Sequence, residues 1–224
     1  MAVDRITEID IGACIAYIER MGADPSNYEM FVVVDIVQTK SLGVVERSGF
    51  VNGWSAVFDE SKGTVAPTWE AQKSYIRQQI ALVRTDPAQF VKVYRSAFTT
   101  CKELGQREME MGRALDFWEL LFQPTMGSWH SAHVDWLAAW KGYLQEKFMK
   151  ATTDGKGDVK GEYTRSVSKD LWNQTRLFAA RTMEDETLGF WSEEQAWPGL
   201  IDEFVVWCRE KGKVGPQNGN HMEE

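Results

Sequence analysis

The sequence predicts an all-α protein. Apolar residues recur at helical spacing along most of its 224 residues, Asp-Pro and Ser-Lys-Asp steps stand where helices would open, and no apolar–polar alternation runs long enough for a strand. A first helix is expected from about Ile11 to Met21, ending at Gly22. Asp24-Pro25 is expected to cap a second, which passes through the apolar block Met30 to Val37 and ends near Gln38. A short extended Val44-Val45 piece follows, then a helix from about Glu46 to Phe58, and the order suggests an EF-hand-like lobe.

The next helix should start near Thr68 and turn Ile76, Ile80 and Val83 inward. Asp86-Pro87 opens another, on which Phe90, Val93, Tyr94, Ala97, Phe98 and Cys101 form one apolar stripe. Further helices are expected from about Met109 to Phe122 and from about Ser131 to Lys150, the latter carrying Trp136, Trp140, Leu144 and Phe148 at four-residue steps. Thr152 to Thr164, rich in Gly, Asp and Lys, reads as a mobile loop. Two helices close the domain, Lys169 to about Glu184 and Pro198 to about Glu210, with Pro198 in the first turn. In the last helix Leu200, Ile201, Phe204, Val205 and Cys208 must face a core. The expected domain is therefore 1–211, with 212–224 a disordered tail for lack of apolar content.

Composition narrows the function classes. A formal net charge of −8 disfavours nucleic acid and anionic membranes as partners and leaves a basic protein open. No signal peptide or long apolar run is present, so an intracellular protein, cytoplasmic and/or nuclear, is expected. Cys14, Cys101 and Cys208 have no paired spacing and read as small buried hydrophobes, not as nucleophiles, zinc ligands or disulfides. The loop from Lys40 to Ser48 offers one acid, Glu46, and Asp154 to Asp158 puts Lys156 where a calcium ligand belongs, so no functional calcium loop is expected. His130 and His133 lack the further ligands a zinc site needs. No cofactor and no catalytic residue is expected.

Three segments carry a resemblance. Asp116-Phe117-Trp118-Glu119-Leu120-Leu121-Phe122, Ser168-Lys169-Asp170-Leu171-Trp172-Asn173, and Glu194-Gln195-Ala196-Trp197-Pro198-Gly199-Leu200-Ile201-Asp202 resemble, in order and spacing, the potentiating-neddylation domain of the defective-in-cullin-neddylation family. The likeness runs from about Ile9 to Lys211 and is most specific in the C-terminal half. It implies an EF-hand-like N-terminal helical lobe packed on a C-terminal helical lobe. It also implies a non-catalytic, scaffold-type co-ligase that promotes transfer of a Nedd-type ubiquitin-like modifier from its conjugating enzyme to a cullin lysine.

In that family an Asp–Ala–Asp patch engages the winged-helix domain at a cullin C-terminus, and its positions fall on Asp170, Ala196 and Asp202. Both carboxylates stand near helix N-termini, where they can accept charge-assisted hydrogen bonds from Lys or Arg. Read for stability alone, they would only favour their helix dipoles, worth about 0.3–1 kcal/mol each. A second implied surface is an apolar pocket for the acetylated N-terminal methionine of the conjugating enzyme. It maps to Ile11, Cys14, Val33, Val34, Val37, Leu42 and Val45, closed by Phe117 and Leu120. Leu42 stands where relatives often carry Gln, and Thr100 where some carry an aromatic. Some relatives add an N-terminal ubiquitin-binding domain, for which this chain is too short at that end, so the potentiating domain alone, as a monomer, is expected. The competing readings are a helical interaction scaffold for a different basic partner and a calcium-sensor-like binding protein.

Overall fold

Why each helix starts where it does is visible in its caps. The computed structural model describes residues 7–123, 128–153 and 159–215, and among these the chain is mostly helical with small two-stranded sheets. It divides into two compact units, Met1–Met109 and Glu110–Glu224. No helix among the described residues is long and apolar enough to cross a membrane.

In the first unit, Asp10 accepts the Ala13 N–H and caps α1 (Ile11–Arg20), while Gly22, with φ +83°, lets the chain leave it. Helix α2 (Glu29–Ile36) starts later than expected. Asp24 does not cap it but closes a local turn by accepting the Ser26 N–H. Met30 to Val34 and Ile36 are all buried, so α2 is apolar around its circumference and forms the unit's centre, with α3 (Arg47–Glu60), α4 (Trp69–Thr85) and α5 (Pro87–Cys101) packed on it. Thr68 and Asp86 cap α4 and α5 as their sequence positions suggest. Strands β1 (Glu8–Ile9) and β2 (Val45–Glu46), each just ahead of a helix, pair antiparallel.

The second unit holds α6 (Met111–Leu121), α7 (Trp136–Phe148), α8 (Lys169–Glu184) and α9 (Gly199–Glu210). Their core is aromatic. Trp118 stacks on Trp172 at 5.2 Å, Trp140 meets Phe204 edge-on at 4.9 Å, and Phe178 touches Trp129, Trp197 and Phe204. Each such pair adds about 0.5–1.5 kcal/mol beyond area burial. The indole N–H of buried Trp129 donates to Thr182 Oγ1 at 2.8 Å.

Strands are where the sequence expectation needs correction. The protein is not wholly α: β3 (Met109–Glu110) pairs with β6 (Ser166–Val167), and β4 (Met149–Thr153) pairs antiparallel with β5 (Val159–Tyr163). Most of the supposed loop Thr152 to Thr164 is therefore ladder, with Lys150 opposite Glu162 in its register. Its central stretch, 154–158, lies outside the described residues. Helix α7 also begins at Trp136, not near Ser131, because Asp135 is the residue whose side chain accepts the Ala138 N–H. Pro198 precedes α9 as its cap residue, its carbonyl accepting the Ile201 N–H, and is not inside the first turn. Beyond α9 the Gly215 N–H donates to the Glu186 carbonyl, and the rest of the supposed tail, 216–224, lies outside the described residues.

Candidate functional site

The connector from α8 to α9 is a rigid corner built by its own polar groups. Gln195 donates from Nε2 to the Phe190 carbonyl at 2.9 Å, and its Oε1 accepts the indole N–H of Trp197 at 2.9 Å. Trp197 in turn packs edge-on against Phe178 of α8 and Phe190. Ala196, between the two anchored residues, is exposed with nothing larger than a methyl group on it. A small residue there keeps the corner low for close approach.

Asp202 stands in the first turn of α9, half-buried, with the dipole at that end favouring its charge. The buried Trp191 donates its indole N–H to Asp202 Oδ1 at 2.8 Å, and the Arg209 guanidinium lies over the Trp191 ring at 4.9 Å. One carboxylate oxygen is thus fixed by the indole, and the carboxylate's rotamer with it. Asp170 is exposed in the first turn of α8, after the Ser168 cap that accepts the Leu171 N–H at 3.1 Å. No hydrogen bond or ion pair among the described residues joins Asp170, Ala196 and Asp202 directly. Helix α8 is tied to the corner and to α9 through Phe178, which contacts both Trp197 and Phe204. Asp170 sits eight residues before Phe178, about 12 Å along the helix.

Asp202 also lines a groove of about 440 Å³ together with Trp191, Val206 and Glu210. Sequence reasoning found Asp202 but missed the other three and Gln195. One signal was available: Asp202, Val206 and Glu210 are four residues apart and so fall on one outer stripe of α9, where an apolar Val is out of place. The Trp191 N–H reaches Asp202 across a non-helical corner, which no periodicity encodes.

The other predicted positions separate by burial. In the first unit Cys14, Val33, Val34, Val37 and Val45 are buried, whereas Ile11 is 62% and Leu42 36% exposed. The N–H of Leu42 donates to the Thr100 carbonyl at 2.8 Å, and the Thr100 hydroxyl donates to the Thr39 carbonyl at 3.3 Å, so α5 holds this loop. Gly43, at φ +85°, carries the loop past Ile11, whose Cγ1 would lie 2.9 Å from any Cβ there. In the second unit Phe117 is buried and Leu120 half-buried on α6. All three cysteines are buried, and burial raises the thiol pKa of Cys14 and carries that of Cys208 up to about 12. A nucleophilic thiol needs the opposite setting.

Residues 71–207 match the family model described as cullin binding. The chain belongs to that family. It is 35% identical to the Pyricularia oryzae protein "Defective in cullin neddylation protein 1", over 98% of this chain and 74% of that one. The protein of the same name from Yarrowia lipolytica is 27% identical over 91% of this chain and 72% of its own length, and that from Saccharomyces cerevisiae 24% over 87% and 64%. The family match spans α4 through most of α9 and so contains Asp170, Ala196 and Asp202.

Proposed function

We propose that this chain is a non-catalytic co-factor of cullin neddylation, holding a cullin through the acidic face of its second unit. The observation that carries the reading is Asp202, a carboxylate aimed by Trp191 beside the low Ala196 corner, in a chain of the cullin-binding family. Asp170 on α8 completes the contact, and both carboxylates accept charge-assisted hydrogen bonds from basic side chains on the winged-helix domain at the cullin C-terminus. With its cysteines buried, the chain offers no transferring thiol. That group belongs to the conjugating enzyme, and the protein's contribution is to raise effective concentration and restrict orientation at the acceptor lysine.

The first unit takes the conjugating enzyme. Its helix–strand–helix order, with β1 and β2 paired ahead of α1 and α3, supports an EF-hand-like lobe that uses its apolar surface and not a calcium loop. Ile11, Ile15 and Leu42 are exposed apolar residues suited to an apolar anchor such as an acetylated N-terminal methionine. Cys14, Val33, Val34, Val37 and Val45 back that surface.

Capture of a cullin C-terminal fragment tests the reading. Asp170→Arg is expected to weaken capture at least about tenfold, since it turns an attraction into a repulsion. Unchanged capture by the folded variant would remove Asp170 from the interface. Trp191→Phe keeps an aromatic ring but removes the N–H that fixes Asp202, together with the pyrrole half of a buried indole. It should weaken capture about three- to tenfold, the scale of one ordinary net hydrogen bond, measured at a temperature where a thermal melt shows the variant folded. A variant that binds like the parent would show that Asp202 needs no such orientation.

A further inference from the structure

We propose that the groove along α9 takes an apolar side chain flanked by basic residues on the cullin partner, so that the contact continues from Asp202 down the helix to Glu210. The proposal rests on reading Asp202 as a cullin contact, and adds to it the chemistry of the segment bound.

The groove has an apolar floor and an acidic rim. Trp191, Val206 and Trp207 form the floor; Asp202, Glu203 and Glu210 on α9 and Glu193 on the corner form the rim, with Lys147 the cation of the lining and Arg209 and Lys211 over the Trp191 and Trp207 rings at 4.9 and 6.0 Å. Val206 is 44% exposed while its neighbours Val205 and Trp207 are buried, so it is the one apolar residue α9 leaves on this face. Both indole N–H groups of the floor are already used, Trp191 on Asp202 Oδ1 and Trp207 on Glu146 Oε2 at 3.1 Å. The floor is therefore fixed before any partner arrives, and what it offers is ring surface. On the rim, the Tyr143 hydroxyl donates to Glu203 Oε2 at 3.1 Å and holds that carboxylate in place. Glu210 is the last residue of α9, where the helix dipole disfavours a negative charge. Helix stability does not account for an acid there; a cationic partner does.

Charge selects the occupant. Four carboxylates on the rim against one lysine in the lining disfavour nucleic acid, acidic peptides and a second copy of a chain whose net charge is −8. A neutral apolar segment would leave those carboxylates to be desolvated without partners. A basic segment with one apolar anchor satisfies both the rim and the floor, and a volume near 440 Å³ leaves room for that anchor and the stems of its neighbours.

Calorimetric titration of a cullin C-terminal fragment into the protein and its Asp170→Arg, Val206→Arg and Glu210→Lys variants tests this, with thermal melts confirming each fold. Val206→Arg should weaken binding about tenfold or more and Glu210→Lys about threefold. If Asp170→Arg loses binding while both groove variants bind like the parent, the groove is not used and the Asp170 contact stands. If Asp170→Arg binds like the parent but the groove variants fail, the groove stands and Asp170 leaves the interface. Parent-like binding by all three removes both. A dimer of the parent that Val206→Arg dissolves would assign the groove to a second copy and overturn the proposal. Glu210→Lys, at an exposed helix end, carries the test if Val206→Arg fails to fold.

Discussion

Gly53→Ala is expected to destabilise the first unit by about 3 kcal/mol or more, the upper range for overpacking a closed contact. A Gly-to-Ala change inside a helix ordinarily stabilises by about 1 kcal/mol, so the sign itself is informative. Gly53 lies within α3 where that helix crosses the end of α2, and a Cβ there would stand 1.8 Å from the Ile36 carbonyl oxygen. That neighbour is backbone and cannot swing away. Helix α2 is the buried centre of the unit, so a displaced α3 disturbs every helix packed on it. Gly142, within α7, supplies the contrast, since its nearest neighbour would be the far edge of the Trp207 ring at 3.9 Å. Gly142→Ala should stabilise by about 0.5–1 kcal/mol. Urea denaturation of both variants checks the pair; equal shifts would contradict the close α2–α3 approach.

Phe178→Ala is the second large effect. Phe178 is fully buried on α8, with ring centroids 5.7 Å from Phe190, 5.6 Å from Trp197 and 5.9 Å from Phe204. Removing it takes away the side chain that fastens α8 to the Ala196 corner and to α9 at once. The expected cost is about 3–5 kcal/mol, as for other buried aromatics reduced to Ala. Cullin capture should fall too, measured at a temperature where the variant is folded, because Asp170 and Asp202 would no longer be held on a common frame. A stability loss below 1 kcal/mol would mean that the corner is held by its polar bonds alone.

Much of this was legible in the chain because helical periodicity reports burial. Lys169 to Glu184 was read with the bounds of α8, and the stripe from Phe90 to Cys101 reports the buried face of α5, although Phe90 itself is only half-buried. Asp170 and Asp202 could be placed near helix starts from Ser168 and Pro198. The β4–β5 ladder was not legible: a five-residue strand among Gly, Asp and Lys carries little apolar pattern, and its partner is recognised only by register. The sequence predicts too early a start for α7 because Ser131 is as good a cap by type as Asp135. Structure distinguishes them, with the Ser131 hydroxyl accepting the Trp136 indole N–H instead. Trp191, the residue that aims Asp202, depends on a corner whose path is set by Gln195, and its role exists only in three dimensions.

Modifier transfer to a cullin C-terminal fragment, followed in a purified system with the conjugating enzyme, tests the central claim most directly. The comparison is between no added protein, this protein, and its Asp202→Arg variant after a melt confirms its fold. Acceleration by the parent that the variant lacks is the predicted result, since the substitution reverses the charge at the head of α9 and removes the acceptor of the Trp191 indole N–H, while Leu200, Ile201, Phe204 and Val205 keep the buried face of the helix. No acceleration by the parent on any cullin fragment tried, or equal acceleration by the variant, would contradict the account.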